Sequence, residues 1–260
     1  MIRPVAGLPM YDWPEIRIAT DRLWAAIRDG IRASGVDAPE ELSRDRTPMA
    51  LWTDPGLVLG QTCGLPFTRD LRSRVALLGS PDFGVPGCAP GWYRSAVVAR
   101  SDDPRGTLAE FAGARFAANE RGSQSGWAAI AHHVAPLAGE AAFFGTVELT
   151  GSHVASAAAV ARGTADIAGI DFVTWRLIRR FRTEASALRA LMLTDPTPGL
   201  PYVTALKDRA GILSRAVEAA IAGLYGRDLG ALGIRGFARL DEAEYDMIAD
   251  RDEASRGRGM

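Results

Sequence analysis

The chain has 260 residues, 47% of them hydrophobic and 23% charged, with 30 basic against 31 acidic side chains and a formal net charge of -1. That length and composition supply enough apolar residues for two moderate cores, which excludes disorder. Because the charges balance and are spread along the chain, no overall field draws it to nucleic acid or to acidic lipid, so an anion must be caught locally.

No stretch approaches the roughly 18 to 20 uninterrupted apolar residues of a membrane helix, and no insertion into a bilayer is expected. The first thirty residues carry Arg3, Asp12, Glu15, Arg17, Asp21 and Arg22 where a signal peptide would hold an unbroken apolar region. With Met1 as the native start the expectation is the cytoplasm; with a leader already removed it is the periplasm. Cys63 and Cys88 lie in glycine- and proline-flanked text without CxxC or Cys/His spacing, so no metal is expected. The pair reads as two reduced thiols, with a bridge as the alternative in an oxidising compartment.

Residues 5–8 are short and apolar and predict a strand. Asp12-Trp13-Pro14-Glu15 reads as a helix start, with Asp12 as cap and Pro14 in the first turn. Ile16, Ala19, Leu23, Trp24, Ile27 and Ile31 then fall on one helical face. Short strands follow at 57–59, 75–78, 96–99, 115–118, 146–149 and 165–170. Helical text at 126–137, 153–161, 172–181 and 212–225 separates or follows them. This alternation predicts an α/β architecture with mostly parallel sheets.

Two strands end in turn residues and read as connections between lobes: Tyr93 to Arg100 before SDDPRG, and Leu191 to Thr194 before DPTPGLPY. They divide the chain into a discontinuous lobe of residues 1–97 and 197–260 and an inserted lobe of residues 98–196. The tail RDEASRGRGM is expected to fray.

The most informative stretch is ANERGSQSGW, residues 118–127, where a strand ends, a polar turn follows and a helix opens in serine and glycine. Backbone N–H groups and hydroxyls at the positive end of a helix suit a phosphate, phosphonate or carboxylate; an ordinary N-cap would use the same residues. Gly151-Ser152-His153 opens the next helix in the same way. His132 and His133, adjacent within a helix, point apart and cannot form a facing metal pair, and solvent exposure accounts for them. Asp171 closes the apolar strand ADIAGID, as a ligand acceptor or as a cap for the helix that follows. No GxSxG, GxxxxGK[ST], HExxH or strand-flanked GxGxxG occurs, and Ser123, His153 and Asp171 supply only the residue types of a triad, so no enzyme is expected.

The run ANERGSQSGW, then TGSHVASAAAVARGTADIAGIDFVTW, then LTDPTPGLPYVTA resembles the phosphate/phosphonate-type substrate-binding proteins of ABC importers, the PhnD-like branch of the type II periplasmic-binding-protein fold. The resemblance implies two α/β lobes joined by two hinge strands, a ligand in the cleft between them, and closure on binding. It implies that Ser123, Gln124, Ser125 and Gly126 form the anion-holding turn, with Gln124 where the family often has threonine, and that His153 reaches the anion from the second helix. Tyr93 and Tyr11 match cleft tyrosines, and Asp171 lies near the acidic residue that can hold a ligand amine. The implied function is binding of a small oxyanion (phosphate, phosphite or phosphonate-like) for uptake through an ABC permease, with no cofactor. A cytoplasmic enzyme of the same fold acting on a small anionic metabolite is the alternative, and a ligand-sensing domain a third class; no basic helix-turn-helix accompanies it.

Overall fold

The computed structural model describes residues 2–139, 141–256 and 260. The chain begins with β1 (Val5–Gly7), α1 (Arg17–Ala33), α2 (Pro48–Trp52), β2 (Leu57–Gln61), α3 (Gly64–Pro66), β3 (Ala76–Asp82) and β4 (Trp92–Tyr93). It continues through β5 (Ser95–Arg100), β6 (Arg115–Ala118), α4 (Ala129–Val134), β7 (Thr146–Leu149), α5 (His153–Ala161), β8 (Ile167–Asp171), α6 (Phe172–Phe181) and β9 (Leu188–Leu193). It closes with β10 (Thr197–Pro198), β11 (Tyr202–Thr204), α7 (Ala210–Ala222), α8 (Gly226–Leu232), β12 (Gly236–Ala238) and α9 (Asp246–Ser255).

Contacts divide the chain into two compact units, Met1–Tyr93 with Pro198–Tyr245 and Arg94–Thr197 with Asp246–Met260. The last segment therefore groups with the second unit, whereas the sequence leaves it in the first. Its helix α9 packs against α4, Ile248 is fully buried, and Arg251 Nη1 donates to the Pro196 carbonyl at 3.1 Å. Residues 251–255 of the tail expected to fray are thus helical; residues 257–259 lie outside the described residues.

In the first unit the sheet order is β1-β2-β11-β3-β12. β1 and β2 are parallel, while β11 runs against both β2 and β3, and β12 runs against β3. All five residues of β2 are buried, as in a strand covered on both faces. α1 packs against α7 and α8 and buries Ala19, Leu23, Trp24, Ile27 and Ile31, the face that its sequence period predicts. Asp12 does not cap: α1 is entered through a tight turn over Pro14–Ile16, and the Asp12 carboxylate is held by Arg44 at 2.5 Å.

In the second unit the order is β7-β6-β8-β5-β9. β7, β6 and β8 are parallel, and β5 runs against β8 and β9. Both sheets are therefore mixed rather than mostly parallel. β5 and β11 follow the points where the chain passes from one unit to the other, and each runs opposite to its neighbours. The core of the second unit gathers Val97, Phe111, Phe116, Ile130, Phe144 and Ile167, with the Phe116 and Phe144 rings stacked at 4.5 Å. The small side chains of α5 (Ala157, Ala159, Val160) let that helix lie close on β5, β6 and β8.

Candidate functional site

Parallel strands deliver their C-terminal ends to one edge of a sheet, and β6 and β7 do so side by side. The turns that follow are tied together: Thr150 N–H donates to the Ala118 carbonyl and Gly151 N–H to the Asn119 carbonyl, both at 2.9 Å. Gly151 takes φ +82°, which reverses the chain just ahead of α5. Ser152 then caps that helix by accepting from Ala155 N–H at 3.1 Å, so His153 becomes its first residue.

After β6, Ser123 caps the next helix, its Oγ accepting from Gly126 N–H at 3.0 Å. The first turn over Gln124–Ala128 is wider than an α-helix, with Ala128 N–H bonded to the Ser123 carbonyl, before α4 takes over at Ala129. The helix expected at 126–137 thus starts earlier as a wide turn, and its regular part ends two residues before Pro136. The opening turn leaves the N–H groups of Gln124 and Ser125 with no intrahelical acceptor. Ser123, Gln124 and Ser125 are all buried.

Ser125 Oγ lies 2.9 Å from His153 Nε2 and 3.5 Å from Ser123 Oγ, and His153 Nδ1 lies 3.2 Å from the Gly169 carbonyl on β8. A carbonyl only accepts, so Nδ1 carries the ring hydrogen and Nε2 accepts from the Ser125 hydroxyl. Burial lowers the His153 pKa to about 4, against the smaller upward pull of the Gly169 carbonyl. The imidazole is therefore neutral at physiological pH. Two glycines set this spacing. A Cβ on Gly126 would collide with Asn119 Oδ1 and stand 3.0 Å from His153 Cε1; one on Gly169 would stand 2.5 Å from Ile130 Cγ1.

Ser123, Gln124, Ser125, Gly126 and His153 thus meet in the second unit. Asp171 lies two residues beyond Gly169 and caps α6, its Oδ1 accepting from Thr174 N–H at 2.8 Å. Tyr11 and Tyr93 are buried residues of the first unit, Tyr11 packed edge-on against Phe83 at 5.1 Å. A triad of Ser123, His153 and Asp171 does not form: the histidine faces Ser125 instead, and a backbone carbonyl, not a carboxylate, orients its ring. His132 and His133 are half-buried rather than solvent-exposed. His133 Nδ1 donates to Ala129 O at 2.8 Å and its Nε2 accepts from Asp195 N–H at 3.2 Å, which pins α4 to the loop after β9. Cys63 is buried and Cys88 half-buried.

Asn119 and Gly169 were not singled out by sequence. An interior glycine in a strand signals a close backbone approach, which is what Gly169 provides for Ile130; nothing local marks Asn119. The side-chain oxygens Asn119 Oδ1 and Gln124 Oε1 are buried beside this turn without a hydrogen-bond partner. Hydroxyls and backbone N–H groups are donors that suit a small tetrahedral anion, while His153 Nε2, with the ring hydrogen on Nδ1, is an acceptor.

The fold is the α/β fold of the type II periplasmic binding proteins, a class of solute-binding proteins. Among solved structures, PhnD1 from Prochlorococcus marinus in complex with methylphosphonate matches at TM-score 0.74 and 15% identity, over 98% of each chain. A binding protein component of an ABC phosphonate transporter from Pseudomonas aeruginosa matches at TM-score 0.70 and 17% identity, over 98% of this chain and 87% of that one. The periplasmic aliphatic sulphonate binding protein SsuA from Escherichia coli matches at TM-score 0.61 and 14% identity, over 98% of this chain and 86% of that one. A search of curated proteins found no match.

The model of the family of ABC transporter phosphonate, periplasmic substrate-binding proteins matches residues 86–245, and the chain belongs to that family. It is a solute-binding protein of the ABC-transporter type. Among the described residues no helix is long and apolar enough to cross a membrane.

Proposed function

We propose that the chain binds a small oxyanion, of the phosphate, phosphite or phosphonate class, at the turn of residues 123–126 and His153. In this reading it presents the anion to an ABC permease and performs no chemistry on it. The observation that carries the reading is the Ser125 hydroxyl at 2.9 Å from His153 Nε2, on a turn that also offers the N–H groups of Gln124 and Ser125. Because the family is one of periplasmic proteins, the periplasm is the proposed location, in preference to the cytoplasm expected for an unprocessed start at Met1. Asp171 keeps its capping role, and Tyr11 and Tyr93 contribute packing of the first unit.

Calorimetry with methylphosphonate, phosphite and phosphate tests the reading. At least one should bind the wild-type chain, and Ser125→Ala should weaken it by more than about tenfold, the loss of one charge-assisted hydrogen bond. Wild-type binding unaltered in Ser125→Ala would place the anion elsewhere. The enzyme alternative gains nothing from this geometry, because a histidine with its pKa near 4 is a poor base at neutral pH.

A further inference from the structure

The tautomer of His153 sets a condition on what the site can hold. The Gly169 carbonyl keeps the ring hydrogen on Nδ1, so Nε2 offers only a lone pair, and that lone pair takes the one hydrogen of Ser125. If the Ser125 hydroxyl turns to an anionic ligand oxygen, Nε2 loses its donor in a half-buried position. A ligand oxygen that carries its own hydrogen restores the bond. It donates to Nε2, while a second, deprotonated oxygen accepts from Ser125 Oγ and from the N–H groups of the turn.

Building on the oxyanion reading above, we propose that the Ser125–His153 pair selects oxyanions that retain one hydrogen on oxygen and rejects those of the same shape that retain none. Phosphonates, phosphite and phosphate keep such a hydrogen up to their second (for phosphate, third) ionisation. Sulfonates and sulfate have none at neutral pH.

His153 cannot escape the condition by charging. The ionisable groups on the elements around α5 include Glu120 and Arg121 in the turn, Arg94 ahead of β5, Asp171 at the end of β8, Arg176 on α6 and Arg162 just beyond α5 itself. Burial lowers the imidazole pKa to about 4 against the smaller upward pull of the Gly169 carbonyl, so the ring stays neutral well below physiological pH. Nor does the pair read charge alone, since both members are neutral and a sulfonate presents its oxygens in the same tetrahedral arrangement.

The test is calorimetry of the full wild-type chain with methylphosphonate and methanesulfonate, between about pH 5.5 and about pH 9, a window in which His153 stays neutral. Methylphosphonate should bind at least about tenfold tighter than methanesulfonate near neutral pH, and its affinity should fall about tenfold per pH unit above its second ionisation. His153→Gln, which sets an amide N–H where the lone pair was, should bring the two probes within about threefold of each other. If that variant does not fold, the wild-type comparison alone decides. Equal binding of the two probes, or a phosphonate affinity that ignores the second ionisation, overturns the hydrogen requirement and leaves the oxyanion reading standing. Binding of neither probe overturns both.

Discussion

Gly169→Ala is a sharp probe of the local architecture, because one methyl group tests the packing behind the turn. The added Cβ would stand 2.5 Å from Ile130 Cγ1, 2.9 Å from Ile130 Cδ1 and 3.3 Å from the Gly126 carbonyl. Ile130 is fully buried in the core of the second unit, where side chains are close-packed. Overpacking of this kind typically destabilises by about 1–3 kcal/mol. The strain also falls on atoms of the proposed site, since the Gly169 carbonyl holds His153 Nδ1 and Gly126 belongs to the turn. Urea denaturation should show a lower midpoint, and calorimetry a weaker methylphosphonate interaction than wild type. Ile130→Ala removes the clashing atoms at its own cost of about 2–5 kcal/mol. The double variant should be less destabilised than the two single effects added, by roughly 0.5–3 kcal/mol of coupling. Strict additivity, or a Gly169→Ala protein as stable as wild type, would refute the claim that Ile130 packs the turn through this glycine.

Three further outcomes rest on the same packing and hydrogen bonds. The His153 pKa falls from an ordinary 6.5 to about 4 on folding, so between those values the unfolded chain binds more protons than the folded one; stability is full above about pH 6.5 and declines by roughly 3 kcal/mol as pH falls to about 4, and His153→Gln should remove most of that slope in denaturation curves at pH 7 and pH 4.5. Ser123→Ala removes the cap on Gly126 N–H and should cost about 0.5–2 kcal/mol together with oxyanion affinity; unchanged thermal stability would show that the cap bond is not formed in solution. Phe116→Ala, which deletes a fully buried ring stacked on Phe144, should cost about 3–5 kcal/mol by chemical denaturation, and a loss under about 1 kcal/mol would contradict the packing.

The local parts of this fold were legible. β6, β7, α5 and α6 have the bounds that the sequence predicts, because each strand is closed by turn residues and each of those helices opens at a side-chain cap, Ser152 or Asp171. The parts that depend on distant partners were not. β11 and β12 are three residues each and exist only as ladders on β2 and β3. Asp12 reads as a cap from its neighbours, but Arg44, thirty-two residues on, takes its carboxylate. His132 and His133 look like surface residues until Asp195 arrives from the end of β9. Within the proposed site, serine and glycine were readable as a capped turn. Asn119 and Gly169 acquire their roles only through contacts with Gly126, Ile130 and His153, which no sequence period reports.

What unites the readable and unreadable parts of the proposed site is that it is built from small neutral residues. Ser123, Gln124, Ser125, Gly126 and the neutral His153 carry no net charge, and the turn's Arg121 stacks its guanidinium over Trp127 at 4.6 Å. A cluster of lysines would attract sulfate and phosphate alike, since a point charge distinguishes anions poorly. Under the proposal, fixed hydroxyls, N–H groups and one lone pair instead count the hydrogens on each ligand oxygen, and a mismatch leaves a polar group unsatisfied. Such counting works only while donors and acceptors stay where they are. The tight contacts at Gly126 and Gly169 hold the turn, the strand and the histidine at fixed separation, so the residues that shape the proposed site include two with no side chain at all.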